Sequence, residues 1–170
     1  MTILVTGPES SGKTTLAREL AWALDGIYVA EAARDYLEAR DGKYTEADLP
    51  KIWHEQKEAE DAARASSASF VICDTGPEVI RIWAEVKYGR CPEDVILASE
   101  TRRYDLVLLC LPDLPWEPDP LREAPDQQER EALLTRYRIV LSDQSPIEVS
   151  GSNRFGQALR AVKAQAPGRF

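Results

Sequence analysis

The 170 residues carry a formal net charge of −8, with 44 % hydrophobic and 29 % charged residues. That balance is typical of an ordinary soluble globular protein, and the acidic excess excludes a general nucleic-acid binder, which needs a basic face for the phosphate backbone. No apolar run approaches a membrane span, and Met1 leads at once into Ile3-Leu4-Val5. These features predict no leader segment, no membrane partner and a cytoplasmic location.

The elements alternate between short apolar strands and helices, in one domain over residues 1–170 with no repeat or linker. A strand over Thr2 to Thr6 is followed by a glycine-rich loop and a helix from Lys13 to about Leu24. A second strand, Ile27 to Ala30, runs into helical residues Glu31 to Arg40, which Asp41-Gly42 ends. Thr45 and Asp48 form an acidic capping pair for a long helix reaching about Arg64. Phe70 to Cys73 is the third strand, closing on Asp74, and helices follow at about Glu78 to Lys87 and Pro92 to Glu100. The continuous apolar run Asp105 to Cys110 reads as a strand covered on both faces. Five prolines between Pro112 and Pro125 make that stretch a loop. A helix of about Gln127 to Leu141, a short strand Ile147 to Val149 and a last helix from Asn153 to Lys163 complete the chain. The expected architecture is a three-layer α/β/α fold on a five-stranded parallel sheet.

Cys73 and Cys110 fall inside strand-like runs as small core residues, and Cys91 lies in a turn. With no CxxC pair and His54 as the single histidine, no zinc site is expected. Among the aromatics, Trp22 on the first helix is expected in the core. Trp53 is expected to pack, with His54 at the surface of an amphipathic helix.

The strongest signal is Gly7-Pro8-Glu9-Ser10-Ser11-Gly12-Lys13-Thr14, with Thr15 following. It matches G-x-x-x-x-G-K-[ST] in the required setting, a strand before it and a helix after it. Gly7 permits a tight exit from the strand, and Gly12 lets the backbone approach phosphate oxygens. The successive amides converge on one concavity at the positive end of a helix. Lys13 is placed to reach the β- and γ-phosphates, and the Thr14 hydroxyl to ligate Mg2+. The predicted ligand is ATP with magnesium.

Acids at the carboxyl ends of neighbouring strands face the same rim in open α/β sheets. Asp74 is either a magnesium acid or a helix cap. Glu31 is either the group that takes a proton from an attacking hydroxyl or a first-turn acid favoured by the dipole, and Asp35, one turn on, competes for the first role. Arg34 either pairs with Glu31 or holds substrate. Arg122 in the proline-rich loop and Arg130 at the start of the next helix are either lid cations or surface arginines. The lid spans about 112–130. Trp116 either stacks on a ring or anchors the lid, and Trp83 is a candidate for the substrate pocket.

Taken together, GPESSGKTTL (7–16), EAARDYLE (31–38), ICDT (72–75) and PDLPWEPDPLRE (112–123) resemble the NadR-type ribosylnicotinamide kinases over nearly the whole chain. Arg154 after Val149-Ser150-Gly151 extends the likeness. The resemblance implies a phosphate-loop NTPase fold of the nucleoside and nucleotide kinases. It also implies ATP-dependent phosphorylation of nicotinamide riboside on its 5′-hydroxyl in NAD salvage. It casts Arg122 and Arg130 as lid cations, Arg154 as a residue near the adenine, and Tyr36 with Trp83, Trp116, Glu31, Arg34 and Asp74 as the acceptor's surroundings.

Two departures fall on that acceptor side. The family often has a tryptophan where this chain has Ala30, and an acid where it has Gly76-Pro77. NadR-like proteins also carry a nucleotidyltransferase domain ahead of the kinase, whereas Met1 begins this kinase strand directly, so no adenylylation step is expected of this chain. The competing expectations are a kinase for another nucleoside or metabolite alcohol, and a non-enzymatic nucleotide-binding regulatory domain. The lid arginines and strand-end acids favour an enzyme with a small nucleoside-like partner. The sequence carries no signal of oligomeric state.

Overall fold

In β1 (Thr2–Thr6) residues Ile3, Leu4 and Val5 are all wholly buried, because both faces of the strand are covered. The computed structural model describes residues 1–122 and 124–168. β1 is joined by β2 (Ile27–Val29), β3 (Val71–Asp74), β4 (Leu106–Cys110) and β5 (Ile147–Val149) in one parallel sheet ordered β2-β3-β1-β4-β5. Seven helices among the described residues cover it: α1 (Lys13–Ala23), α2 (Ala32–Glu38), α3 (Leu49–Arg64), α4 (Pro77–Tyr88), α5 (Glu93–Thr101), α6 (Gln127–Val140) and α7 (Arg154–Gln165).

The period-two alternation of strand side chains sorts the core into two layers. Ile3, Val5, Ile72 and Leu108 pack with Leu16, Leu20, Ala158 and Val162 of α1 and α7. Leu4, Cys73, Val107 and Leu109 pack with Ile82, Leu134 and Tyr137 of α4 and α6. A third cluster joins α2, α3, α4 and α5 through Tyr36, Leu49, Ile52, Trp53, Ile80 and Val95. This is the expected three-layer α/β/α fold on a five-stranded parallel sheet. Among the described residues, no helix is long and apolar enough to cross a membrane.

Strand order places the reversal point at β1, so the carboxyl ends of β1 and its neighbour β3 open onto one rim. Val5 pairs with Asp74 across these strands, which sets the glycine-rich loop beside the acid-ended strand. Cys73 and Cys110 are buried as expected, and His54 lies on the exposed side of α3.

Several local expectations shift. Trp22 is 88 % exposed rather than core. α1 buries Leu16, Ala17, Leu20 and Ala21, and a residue two places beyond Leu20 projects to the far side of a 3.6-residue helix. The Thr45–Asp48 capping box is present, but it closes a single 3-10 turn, Glu46–Asp48, that runs into α3. β2 ends at Val29, and α2 begins at Ala32 with Glu31 as its extended N-cap. Arg130 lies in the first turn of α6, as expected, and Asp126 caps that helix by accepting from Gln128 N at 2.7 Å and Glu129 N at 3.2 Å. Glu123, the last residue of the proline-rich motif, and the terminal Arg169 and Phe170 lie outside the described residues.

Candidate active site

The chain leaves β1 through Gly7, whose φ is +145°. A Cβ here would strike the Cys110 carbonyl oxygen, so only glycine lets the loop turn out of the sheet beside β4. Gly12, in the left-handed region at φ +77°, is the N-cap of α1. The loop amides therefore precede a helix whose positive end faces the rim. Ser11 is wholly buried and its Oγ has no hydrogen-bond partner among the described residues. A buried hydroxyl in that condition suits a loop shaped around polar ligand atoms.

A cavity of about 540 Å³ opens directly in front of the loop. Gly7, Pro8, Glu9, Lys13 and Thr14 of the loop line it, together with Glu31 and Arg34. The apolar part of the wall is made by Val79, Ile82, Trp83 and Leu133, and Lys87, Glu129 and Arg136 also line it. Arg122, Leu121 and Ala124 of the proline-rich strap close it from above. One continuous space is thus shared by the glycine-rich loop, a polar pair and a group of apolar side chains.

Glu31 lines this space. Burial pushes its carboxyl up, Lys13 and Arg34 oppose the shift, and the charges of Asp74 and Glu9 add to it. Three loop or strand-end groups therefore act on one carboxylate. The backbone behind Glu31 is held from α3: Gln56, 2 % exposed, accepts from Ala32 N at 2.8 Å. Its amide nitrogen lies 3.5 Å from both Glu60 Oε1 and the Thr75 carbonyl. Thr75 follows Asp74 and takes φ +68°, an uncommon setting for a β-branched residue.

Asp74 is 1 % exposed at the end of β3. Its Oδ2 accepts from the Tyr28 hydroxyl at 2.9 Å, and its Oδ1 has no partner among the described residues. Burial, reinforced by Asp74, pushes the Tyr28 hydroxyl up to about 12. Asp74 does not cap α4, whose N-cap is Gly76 without a side-chain bond. Among the described residues no three histidines, cysteines or carboxylates gather as a metal cluster. Asp74 thus leaves one buried carboxylate oxygen unpartnered among the described residues, beside the loop that carries Thr14.

Behind that corner lies a second buried acid that sequence reasoning missed. Glu78 is 1 % exposed, and its Oε1 accepts from Thr6 Oγ1 at 2.7 Å and from Gly76 N at 3.1 Å. It ties the last residue of β1 to the turn after Asp74. A Cβ on Gly76 would lie 2.5 Å from the Tyr104 hydroxyl and 2.7 Å from Glu78 Oε2. The glycine where the family often has an acid thus makes room for a carboxylate turned inward. The legible signal was an acid at the start of the otherwise apolar Val79-Ile80 helix.

The strap is fastened from below. Arg34 donates to Asp119 Oδ2 at 3.1 Å and to Glu38 Oε1 at 3.3 Å. Glu9 Oε2 accepts from Ala124 N at 2.9 Å. Trp116 has the guanidinium carbons of Arg122 and Arg130 each 5.7 Å from its ring centre, so it anchors the strap. Arg130 is 4 % exposed and donates to the Leu114 carbonyl and to Gln127, which makes it a brace at the base of the strap. Arg154 is buried behind Gly12, donating to the Leu111 and Gly151 carbonyls and pairing with Asp113.

Of the remaining sequence candidates, Trp83 lines the apolar part of the cavity wall, tilted against Tyr44 with ring centres 4.5 Å apart. Asp35 is exposed and is not in the cavity wall, since its helical position points it away from the site that Glu31 and Arg34 face. Tyr36 is buried in the α2–α3 core and donates its hydroxyl to Asp48 Oδ1 at 2.8 Å. Thr15 is exposed on α1. Lys87, Glu129, Arg136 and Asp119 were not anticipated, and only Asp119, inside Pro-Trp-x-x-Asp-x-Leu-Arg, had a motif to flag it.

This geometry can be set beside known proteins. A family profile described as AAA domain matches residues 2–151. The trifunctional NAD biosynthesis/regulator protein NadR of Salmonella typhimurium is 26 % identical over 95 % of this chain. The chain spans 41 % of that curated relative, less than half its length. Among solved structures, a NadR protein in complex with NR superposes with a TM-score of 0.75 at 23 % identity, over 98 % of this chain and 51 % of that one. A NadR protein in complex with NAD and AMP-PNP gives 0.76 at 24 %, over 96 % and 49 %. Deoxyadenosine kinase from M. mycoides with bound dATP gives 0.57 at 13 %, over 96 % and 99 %.

Proposed function

The chain belongs to the AAA domain family, and we propose that it is an ATP-dependent kinase that phosphorylates a nucleoside, with nicotinamide riboside as the preferred acceptor. One observation carries this reading: a single cavity is lined by the phosphate loop, by Glu31 and Arg34, and by the apolar side chains of Val79, Ile82, Trp83 and Leu133, against which a flat ring would pack. A regulatory nucleotide switch has no use for the apolar part of that space. The likeness to NadR over 95 % of this chain supports the acceptor. The deoxyadenosine kinase fold supports the nucleoside class.

In this reading the loop amides and Lys13 hold the β- and γ-phosphates, and Arg122 approaches from the strap side. Thr14 and Asp74 fit a hydrated Mg2+, since Asp74 presents a buried oxygen with no partner among the described residues. Bound there, the ion would neutralise phosphate charge. The acceptor hydroxyl forms a bond to the γ-phosphorus as the bond to the β–γ bridging oxygen breaks. ADP leaves, and Glu31 takes the hydroxyl proton. Burial raises its proton affinity, which suits it to that task. Positioning and charge neutralisation supply most of the acceleration.

The test is ADP release with a panel of acceptors, among them nicotinamide riboside, adenosine, deoxyadenosine and simple sugar alcohols. Phosphorylated nicotinamide riboside should form well above the rate without acceptor, and Lys13→Ala should abolish it while leaving the circular dichroism spectrum unchanged. Turnover of a different alcohol with none of the riboside would refute the acceptor. Nucleotide binding without acceptor-dependent turnover of any kind would refute the kinase.

A further inference from the structure

Ser10 holds a left-handed backbone, φ +55°, in a loop where glycine would adopt it freely. A non-glycine residue adopts that conformation at a steric cost, so the side chain must return something. Its hydroxyl is 8 % exposed at the residue level and has its whole hydrogen-bonding capacity engaged. The proton goes to the Pro115 carbonyl at 3.3 Å, and the two lone pairs accept from Glu117 N at 3.1 Å and Arg122 Nη1 at 3.5 Å. A hydroxyl offers one donor and two acceptor sites, so none is left for a phosphate. Arg122 Nη1 also donates to the Glu117 carbonyl.

The neighbouring Glu9 repeats the pattern at the other end of the strap, accepting from Ala124 N at 2.9 Å. Loop residues 9 and 10 thus grip strap residues 115, 117, 122 and 124, and the grip closes around the one strap arginine that lines the cavity. Ser11, by contrast, turns its hydroxyl inward without a partner among the described residues.

We infer that Glu9 and Ser10 are positioning residues for Arg122: their side chains clasp the strap and set where its guanidinium stands, while only their backbone serves the phosphates. The inference rests on the reading of Arg122 as the cation that meets the transferring phosphoryl group. It also accounts for the co-occurrence in one chain of Glu-Ser inside the loop and Pro-Trp-x-x-Asp-x-Leu-Arg in the strap, since the two segments are halves of one contact.

Two substitutions at Ser10 separate the clasp from loop conformation. Ser10→Ala and Ser10→Gly both remove the hydroxyl, but glycine also relieves the backbone cost. In the full chain both should lower kcat about tenfold or more, with ATP Kd changed no more than about threefold. Neither should lower kcat further in an Arg122→Ala background. Glu9→Ala should behave similarly, and Glu9→Gln, which keeps an acceptor oxygen for Ala124 N, should restore most of the rate. A Ser10→Gly variant as active as the unaltered chain, or losses that multiply with Arg122→Ala, would overturn the inference.

Trp116 emission reads the clasp without turnover. Taken as the difference from matched Trp116→Phe chains, it should shift to longer wavelength in both Ser10 variants before any substrate is added. An unshifted spectrum overturns the clasp even if no acceptor is ever phosphorylated, and a shifted one upholds it in that same case.

Discussion

A carboxylate in the site is useful as a base only if it faces the acceptor and is ionised when the hydroxyl attacks. Glu31 and Asp35 are one helical turn apart, and the periodicity that places both near one face cannot say which side chain reaches the cavity. Glu31 precedes α2 as an extended N-cap and lines the cavity, whereas Asp35 is exposed to solvent. Glu31→Gln is therefore expected to lower kcat about a hundredfold or more, and Asp35→Asn to leave it within about twofold. Steady-state rates at saturating ATP and acceptor decide this, and the reverse ranking would transfer the role to Asp35.

At the scale of elements, the turn between β3 and α4 shows how a short segment is constrained from outside itself. Gly76 is needed because Tyr104 and Glu78 crowd the position a Cβ would occupy, at 2.5 and 2.7 Å. Gly76→Ala should destabilise the protein by about 1–3 kcal/mol, read as a lower urea midpoint at unchanged slope. It should also weaken activity through the adjoining Asp74–Thr75 corner. An unchanged midpoint would show that the turn relaxes freely. The helices were legible from periodicity, and Trp116 as an anchor was one of two readings that the sequence left open; the role of Arg130 as a brace was not legible, because it depends on the Leu114 carbonyl and the Trp116 ring, more than ten positions away.

For the whole molecule, the buried acids beneath the sheet rim make stability depend on pH. Burial is the largest influence on Glu78 and raises its carboxyl from 4.5 to about 7, although Thr6 and Gly76 donate to it. A folded state that holds this proton more tightly than the unfolded chain is favoured below about pH 4.5. That advantage is lost as pH rises through about 7. Glu60 is also raised by burial, but Arg102 stands 2.6 Å away and opposes the shift. Glu78→Gln should gain in Tm relative to the unaltered chain between pH 5 and pH 8, by on the order of 3 kcal/mol when expressed as free energy. A difference in Tm that does not vary with pH would mean that Glu78 does not titrate in this range.

The sequence by itself determined the sheet, the helices and the phosphate loop, because strand and helix periodicities and the glycine spacing act over a few residues. It also carried the likeness to NadR, which lies in four short motifs. Only the tertiary structure decided which charged groups meet. Glu78 answers the missing acid at Gly76, Gln56 holds the backbone beside Glu31, and Glu9 with Ser10 grips a strap more than a hundred residues away. Those contacts arise where chain segments cross at the rim of the sheet. Side-chain reach and burial in three dimensions, not local pattern, select the partners there.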